Sequence, residues 1–185
     1  MICPPGTYSN GTQDLPVNEI TECYTCPVGA ECPNEAESNY TLCAIGYAQD
    51  RNGSTYCNRC MGGTYQNKAG QALCLECPGG FCCPQPPLAE SWGSNQTFSC
   101  LPGSFSAPAS EACTLCPAGT FEPTRESSEC SGVCPAGEYS ELGSIECTVC
   151  PANTYNDQAQ NDGCTTCPDG KSVSLLIYIY IYIYI

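Results

Sequence analysis

Residues 116–134 read CPAGTFEPTRESSECSGVC, and this phrase recurs along the chain. A cysteine opens it, a turn with proline and glycine follows, an aromatic residue comes two positions after the glycine, and two cysteines end it. The second of those cysteines opens the next copy. A fixed period this short predicts small stacked units rather than one globule. The opening cysteines, after which the units are named, are Cys3, Cys26, Cys43, Cys60, Cys77, Cys100, Cys116, Cys134, Cys150 and Cys167.

The third residue after each opening cysteine is glycine in every unit but one, which has Asn153. Glycine and asparagine tolerate positive φ better than other residues, so this position is predicted to be a left-handed turn. Further turn residues, such as Asn52-Gly53-Ser54, lie between the cysteines of a unit. We therefore predict small disulfide-rich repeats, an elongated array of short irregular β-hairpins clipped at their ends, with almost no helix.

The recurring aromatic has two interpretations. One is a row of binding aromatics. We favour the other, in which each ring covers its own unit's disulfide and forms the only apolar contact between neighbouring units. Trp92, the only tryptophan, lies in the irregular loop 84–99, and we expect it to anchor that loop rather than to bind a partner. The recurring aromatics are Tyr8, Tyr65, Phe105, Phe121, Tyr139 and Tyr155, and Tyr47 arrives one residue early.

The composition excludes several classes of function. Twenty cysteines among 185 residues exceed the ~8–10% that indicates a disulfide scaffold. The net charge is −14, with five lysines and arginines together and no histidine, so nucleic acid is a poor partner. Scattered acidic residues predict a solvated surface rather than a cation site. Without a histidine base or a paired-carboxylate site, we expect neither an enzyme nor a small-molecule cofactor.

Four Asn-x-Ser/Thr sequons give candidate N-glycosylation sites at Asn10, Asn39, Asn52 and Asn95. All lie away from the opening turns, as expected for glycans on exposed loops. Together with the cysteines they predict an extracellular or cell-surface protein in an oxidising compartment. Because the chain starts inside a repeat and shows no export signal, we expect it to be a fragment of a larger protein.

Zinc is the main alternative role for the cysteines. The run Cys57-x2-Cys60-x13-Cys74-x2-Cys77 alone satisfies a four-cysteine zinc spacing. The same spacing continues along the chain, however, so each Cys-x-x-Cys would be claimed by two neighbouring sites. Because histidine is absent and the sequons suit the cell exterior, where thiols oxidise, we predict disulfides and no metal.

The phrase at Cys116–Gly137 resembles the ephrin-receptor-like cysteine-rich repeat of the growth-factor-receptor and TNF-receptor-type superfamily. The resemblance extends from Cys3 to about Gly170. It implies a non-enzymatic extracellular module that acts as a structural spacer or adhesion segment, with a protein or glycan partner at the cell surface still to be identified. A ligand-binding receptor ectodomain is the alternative. The departures from the repeat are Asn153 in place of glycine, Ser172 in place of the aromatic, and the additional Cys82.

For the regular units we predict that each opening cysteine pairs with the first cysteine of the next Cys-x-x-Cys. Each of these disulfides closes a local loop and is expected to stabilise its hairpin by ~2–4 kcal/mol. The predicted regular pairs are Cys3–Cys23, Cys43–Cys57, Cys60–Cys74, Cys100–Cys113, Cys116–Cys130, Cys134–Cys147 and Cys150–Cys164.

Two units differ, because a second Cys-Pro lies six residues after the opening cysteine. By elimination Cys26 pairs with Cys32. The other unit leaves two possibilities, Cys77 with Cys83 or, as the alternative, Cys77 with Cys82. The favoured scheme leaves Cys82 and Cys167 unpaired, and we expect the partner of Cys167 in a further unit.

The regularity of the repeat divides the chain into four parts: an N-terminal array at 1–76, an irregular Pro-rich unit at 77–99, regular repeats at 100–170 and a tail at 171–185. The end of the tail alternates Ile and Tyr. It is too short for a membrane span, and as a strand it would be prone to aggregate. We favour a translated AT dinucleotide repeat. Within the array, each unit is expected to touch only its neighbours.

Overall fold

The computed structural model describes residues 2–9, 22–85 and 96–172, and every structural statement below concerns these residues. Their backbone forms nine two-stranded antiparallel sheets and no helix. The prediction of small disulfide-rich hairpin repeats is confirmed. The hairpins are β1 (Thr7–Tyr8) with β2 (Tyr24–Thr25), β3 (Ala30–Glu31) with β4 (Thr41–Leu42), β5 (Tyr47–Ala48) with β6 (Asn58–Arg59), β7 (Thr64–Tyr65) with β8 (Leu75–Glu76), β9 (Phe81–Cys82) with β10 (Phe98–Ser99), β11 (Ser104–Phe105) with β12 (Thr114–Leu115), β13 (Thr120–Phe121) with β14 (Gly132–Val133), β15 (Glu138–Tyr139) with β16 (Thr148–Val149), and β17 (Thr154–Tyr155) with β18 (Thr165–Thr166).

The opening turn has the same geometry in all ten units. The residue at the predicted left-handed position has φ between 64° and 86°, and Asn153 is the one member that is not glycine. In the Cys116 unit, the Thr120 amide donates to the Pro117 carbonyl across the turn at 3.0 Å. The carbonyl of Gly119 then accepts the amide of Cys134, which opens the next unit, at 2.9 Å. The turn therefore fixes both the start of one unit and the start of the next.

The register of the hairpin explains a further glycine. Phe121 of β13 lies opposite Gly132 of β14. A Cβ atom added to Gly132 would overlap the Phe121 ring, so the ring occupies the space that a side chain on the opposite strand would need. This hairpin is also the one in which three residues, instead of two, separate the closing cysteine from the next opening cysteine.

Nine disulfides clip the units, with Cα–Cα separations of 5.5–6.0 Å. They coincide with the seven regular pairs that the sequence predicts, and Cys26 pairs with Cys32. In the Cys77 unit the partner is Cys83 rather than Cys82. Such separations lie within the range of an unstrained disulfide, below ~7 Å. The four cysteines of the zinc-like spacing are all engaged in these bonds.

Backbone hydrogen bonds join each unit to the next in a repeated pattern. After the Cys116 unit, the Gly119 amide donates to the Ser140 carbonyl at 2.9 Å, and the Gly143 amide donates back to the Cys116 carbonyl at 2.8 Å. This junction thus satisfies the opening cysteine of one unit with a turn of the following unit. The equivalent bonds to an opening cysteine come from Ala36 to Cys3, Gly53 to Cys26, Gly70 to Cys43, Ala109 to Cys77, Glu126 to Cys100 and Gln160 to Cys134.

These seven donors define a second left-handed turn in their units, which sequence analysis predicted only where turn residues such as Asn52-Gly53-Ser54 mark it. Several donors are not glycine, yet Ala36, Ala109, Glu126 and Gln160 have φ of 60–65°. A left-handed conformation costs such residues roughly 1–2 kcal/mol each. The bond to the preceding unit offsets part of that cost, and so the turn persists without glycine.

The turn glycines also meet the unit after next. Gly53 donates to the carbonyl of Cys26, and the Cys26 amide itself donates to the carbonyl of Gly6 at 2.9 Å. The backbone of Gly53 is thereby brought so close to Gly6 that a Cβ added to Gly6 would overlap its carbonyl. The expectation that each unit touches only its neighbours is therefore wrong. The same overlap would occur between Gly29 and Gly70, Gly63 and Ala109, Gly80 and Glu126, Gly103 and Gly143, and Gly119 and Gln160.

Contacts group the chain into two compact bodies. In both, the buried apolar residues are almost all cysteines, with Ala30 and Ala48 as the exceptions. Cross-links thus take the place of a conventional core. Of the described residues, the first body comprises 2–9, 22–78, 82–85, 96–98 and 109–111, and the second comprises 79–81, 99–108 and 112–172.

The aromatic at the start of the array packs against the following unit. Tyr8 packs against a buried cluster of Cys26, Ala30 and Cys32, which belongs to the next unit. This is the apolar contact between neighbouring units that the sequence predicts for the ring. At this junction the Gly6 amide donates to the Cys32 carbonyl at 2.8 Å, which brings the following unit against Tyr8.

Candidate functional site

One position in each unit is buried although most of its residues are polar. It is the third residue after the turn glycine or asparagine, and its side chain is at most 6% exposed in every described unit. Sequence analysis missed this position because serine, glutamine and glutamate are ordinarily surface residues. We call these residues the buried column: Ser9, Cys32, Gln49, Gln66, Cys83, Ser106, Glu122, Ser140 and Asn156.

Long side chains of the buried column bind the loop of their own hairpin. Gln49 donates from Nε2 to the Tyr56 carbonyl at 2.7 Å, and its Oε1 accepts the Arg51 amide at 3.1 Å. Gln66 makes the same two bonds in the next unit. The amide therefore replaces water inside the loop and holds the chain between the two cysteines in one conformation.

Three short side chains of the buried column, Ser106, Ser140 and Asn156, bind the preceding unit instead. Ser9 donates to the Glu37 carbonyl of the following unit at 3.2 Å. The hydroxyl of Ser140 donates to the Thr120 carbonyl at 2.9 Å. Asn156 donates from Nδ2 to the Glu138 carbonyl at 2.7 Å and accepts the Gly137 amide at 2.8 Å. These bonds add side-chain contacts to the backbone bonds at the same junction.

Glu122 is the one carboxylate in the buried column. Its Oε1 accepts the amide and the hydroxyl of Thr124 at 2.8 and 2.7 Å, and its Oε2 accepts the Ser131 amide at 3.0 Å. Burial by itself raises the pKa of Glu122, but the hydrogen bonds from Thr124, Ser127 and Ser131 outweigh it and lower the pKa to about 2. The side chain is thus an anion that ties the loop together.

The cysteines outside the regular pairs occupy defined places. Cys32 and Cys83 belong to the buried column, and each is bonded to the opening cysteine of its own unit. Cys82 stands one residue earlier, at the position of the recurring aromatic, and it is a half-buried free thiol. Cys167 is also free, and its amide donates to the Asn153 carbonyl at 2.9 Å, as in every other opening turn.

Two of the four sequons lie in the described part of the chain, and both asparagines are exposed. Asn39 accepts only the amide of its neighbour Tyr40, at 2.9 Å. Asn52 accepts the amide of Val28, in the preceding unit, at 3.0 Å. Asn10 and Asn95 lie outside the described residues, as do Trp92 and the Ile-Tyr tail, so the predictions made for them remain predictions.

Three tyrosines form the one aromatic group recorded in the described ranges. The Tyr8 ring lies 5.9 Å from Tyr24 and 5.2 Å, edge on, from Tyr40. The hydroxyl of Tyr24 donates to Glu22 at 3.1 Å, and this bond to a carboxylate raises the pKa of Tyr24. The group surrounds the junction between the first two units, where Tyr8 already packs against the following unit.

Exposed apolar residues follow the repeat rather than interrupt it. The residue before an opening cysteine is apolar and about half exposed in several units, as at Leu42 and Leu115, with 54% and 51% exposure. Their methyl groups nevertheless lie against the second turn of the unit after next. An ideal Cβ at Gly70 is 3.1 Å from Leu42, and one at Gly143 is 3.2 Å from Leu115. Part of each side chain therefore serves the stacking of units.

Comparison with known proteins agrees with this geometry. Residues 137–174 match the family described as "Tyrosine-protein kinase ephrin type A/B receptor-like". The chain is a cysteine-rich repeat protein with an ephrin-receptor-like repeat. The ephrin-receptor-like stretch contains the Cys150 hairpin with its disulfide and both turns, which the other regular units reproduce. No curated protein shows significant similarity to the chain.

Two absences concern the described ranges. No helix there has the length and apolar character needed to span a bilayer. Within the same ranges, histidine, cysteine, aspartate and glutamate side chains form no group of three that could hold a metal ion.

Proposed function

We propose that the chain is a non-enzymatic extracellular array of cysteine-rich repeats that acts as a structural spacer or adhesion segment of a larger surface or secreted protein. The proposal rests on the structure of the junctions between units. The same backbone bonds recur from junction to junction, while the residues that make them vary among glycine, alanine, glutamate and glutamine. A surface selected for one ligand would instead depend on particular side chains at one place.

The extracellular location is supported by the nine disulfides, which form and persist in oxidising compartments. It is supported further by the match of residues 137–174 to a receptor-like repeat. The alternative of a ligand-binding receptor ectodomain has less support, because exposed apolar side chains such as Leu42 and Leu115 follow the period of the array and cover its turns.

The proposal is tested by displaying the chain between a cell-surface anchor and a distal fluorescent tag. Deletion of residues 116–149 removes two whole units and joins Leu115 to Cys150, so the Cys-x-x-Cys phrase is preserved. A spacer is expected to lose reach on this deletion, measured as increased energy transfer from tag to membrane dye. Leu73→Ser and Leu142→Ser, at side chains that are 65% and 66% exposed, should leave the reach unchanged.

The receptor alternative makes the opposite prediction. A purified cell-surface protein or glycan would then bind the chain saturably, and the same two serine substitutions or others on the exposed face would abolish binding. Saturable binding that depends on exposed side chains, with no effect of the deletion on reach, would overturn the spacer proposal.

A further inference from the structure

The loop of the Cys43 unit lines an open polar cavity of about 360 Å³. This volume is near the lower end of the ~300–1,000 Å³ typical of ligand sites. Its wall includes Asp50, Arg51, Tyr56 and Asn58. The Tyr56 side chain is 61% exposed, so its ring is open to an occupant. Amide, carboxylate and guanidinium groups beside an aromatic ring suit a ligand with hydroxyl groups along its edge and C–H groups on its face, which describes a sugar.

Asn52 lines the same cavity and is the acceptor of a sequon. Its Oδ1 is engaged by the Val28 amide, which fixes the orientation of the side-chain amide. The sequon also sits in the second left-handed turn, because Gly53 has φ of 73° and its amide donates to Cys26 at 2.7 Å. The attachment atom, Nδ2, is therefore held on a rigid turn at the rim of the cavity.

We propose that Asn52 carries an N-linked glycan and that its first N-acetylglucosamine lies in this cavity against Tyr56. The linkage forms between Nδ2 and C1 of the sugar. The bond between C1 and the phosphate oxygen of a polyisoprenyl-diphosphate oligosaccharide breaks, Nδ2 loses one proton, and the lipid diphosphate leaves. The Val28 bond persists after the reaction because it uses Oδ1. This proposal rests on the extracellular location proposed above.

The neighbouring Cys60 unit shows that the fold does not itself require this arrangement. Its column residue Gln66 makes the same two loop bonds, and its Gly70 amide donates to the preceding opening cysteine just as Gly53 does. Yet Ala69 stands in the place of Asn52, and Leu73 in the place of Tyr56. The asparagine and the tyrosine are thus particular to the Cys43 unit.

The test uses the full chain, secreted from a eukaryotic cell behind a cleavable export signal. Glycopeptide mass spectrometry measures the occupancy of Asn52 and Asn39. Peptide:N-glycosidase, which hydrolyses the Cγ–Nδ2 amide bond of a glycosylated asparagine and leaves aspartate, is then applied to the native protein. A comparison sequon is built in the matched loop of the Cys60 unit by Ala69→Asn with Gln71→Ser.

We expect Asn52 to be occupied and its glycan to be released about tenfold more slowly than the glycan of the comparison sequon, equivalent to ~1.4 kcal/mol of contacts. Tyr56→Leu, which copies the residue of the Cys60 unit, should raise the release rate to that of the comparison sequon. The Tyr56 carbonyl that Gln49 binds is kept in this variant. A peptide map showing an intact Cys43–Cys57 bond confirms that the variant is folded.

The other outcomes overturn the proposal in distinguishable ways. An unoccupied Asn52 beside an occupied Asn39 refutes glycosylation here and leaves the extracellular location intact. Equal release rates at Asn52 and the comparison sequon refute the placement of the sugar in the cavity. If no sequon is occupied and the disulfides do not form during secretion, the proposed location fails together with this site.

Discussion

The carbonyl of Gln160 occupies the place that a Cβ atom on Gly119 would take, although the two residues lie in units two apart. Gly119 also has φ of 80°. Glycine is therefore required twice at this position, once by the backbone conformation and once by the approach of another chain segment. At Gly137 only the conformational requirement applies, because its φ is 86° and no described residue lies within 4 Å of its ideal Cβ.

Gly119→Ala is expected to destabilise the stacking around the Cys116 unit by ~2–5 kcal/mol. About 1–2 kcal/mol comes from the left-handed conformation, and ~1–3 kcal/mol comes from overpacking. Gly137→Ala, the matched control, should cost only the first of these. Hydrogen exchange of the Gln160 amide, which donates to Cys134 at 2.8 Å, measures the loss of stability in both variants. Equal losses in the two variants would show that the contact with Gln160 contributes nothing.

Glu122 is predicted to make the Cys116 hairpin sensitive to acid. Its pKa is lowered from 4.5 to about 2 in the folded protein. A carboxyl whose folded pKa is depressed stabilises the fold above its unfolded pKa, and that contribution is lost as pH falls through the folded value. Protection of the Ser131 amide, corrected for intrinsic exchange, should therefore fall between about pH 4.5 and pH 2.

Glu122→Gln should weaken the same hairpin at pH 6 by ~1–3 kcal/mol, because the new NH2 group faces an N–H donor of Thr124 or Ser131. It should also remove the dependence on pH. Glu129→Gln, an exposed glutamate of the same loop, is the control and should change neither. If the acid sensitivity survives Glu122→Gln, another group is responsible for it.

The sequence predicts those parts of the fold in which a constant residue type meets a structural requirement within one unit. The opening turn is recognisable because only glycine and asparagine fill it, and Asn153 identified the constraint as one on φ rather than on size. The disulfides follow, because hairpins of nearly constant length bring each opening cysteine to the first cysteine of the next pair. Both features depend on neighbours within a single unit.

The buried column and the second turn were not predictable in the same way. A glutamine, a glutamate and a serine occupy one column position, and each satisfies its buried polar atoms through different partners, as Gln49, Glu122 and Ser140 show. The second turn accepts Ala109 or Gln160 because a bond to the preceding unit holds it. Long-range contacts set these positions, and they leave no constant residue type in the sequence.

Reduction and metal removal are expected to act differently on the protein. A chelator should leave circular dichroism and amide exchange unchanged, since all four cysteines of the zinc-like spacing are in disulfides. A thiol reductant should unfold the units, because buried cysteines form most of their apolar interior. Loss of structure with the chelator alone would revive the zinc interpretation.

The Cys77 unit offers the sharpest test of pairing. Cys83 is fully buried in the column, whereas Cys82 is its neighbour in sequence and ends β9. Because successive side chains of a strand point to opposite faces, the thiol of Cys82 cannot replace that of Cys83 without turning the strand over. Cys82→Ser is therefore expected to preserve all nine disulfides and to change stability by less than ~0.5 kcal/mol.

Cys83→Ser should leave Cys77 and Cys82 as two free thiols, detected by alkylation and peptide mapping without reduction. It should cost ~2 kcal/mol, the value expected for a short disulfide loop. Cys32→Ser is the matched control, since its unit has Glu31 in the place of Cys82 and so contains no competing thiol. The two variants should lose equal stability. A Cys77–Cys82 bond that rescues only Cys83→Ser would establish the alternative pairing and show that this strand turns over.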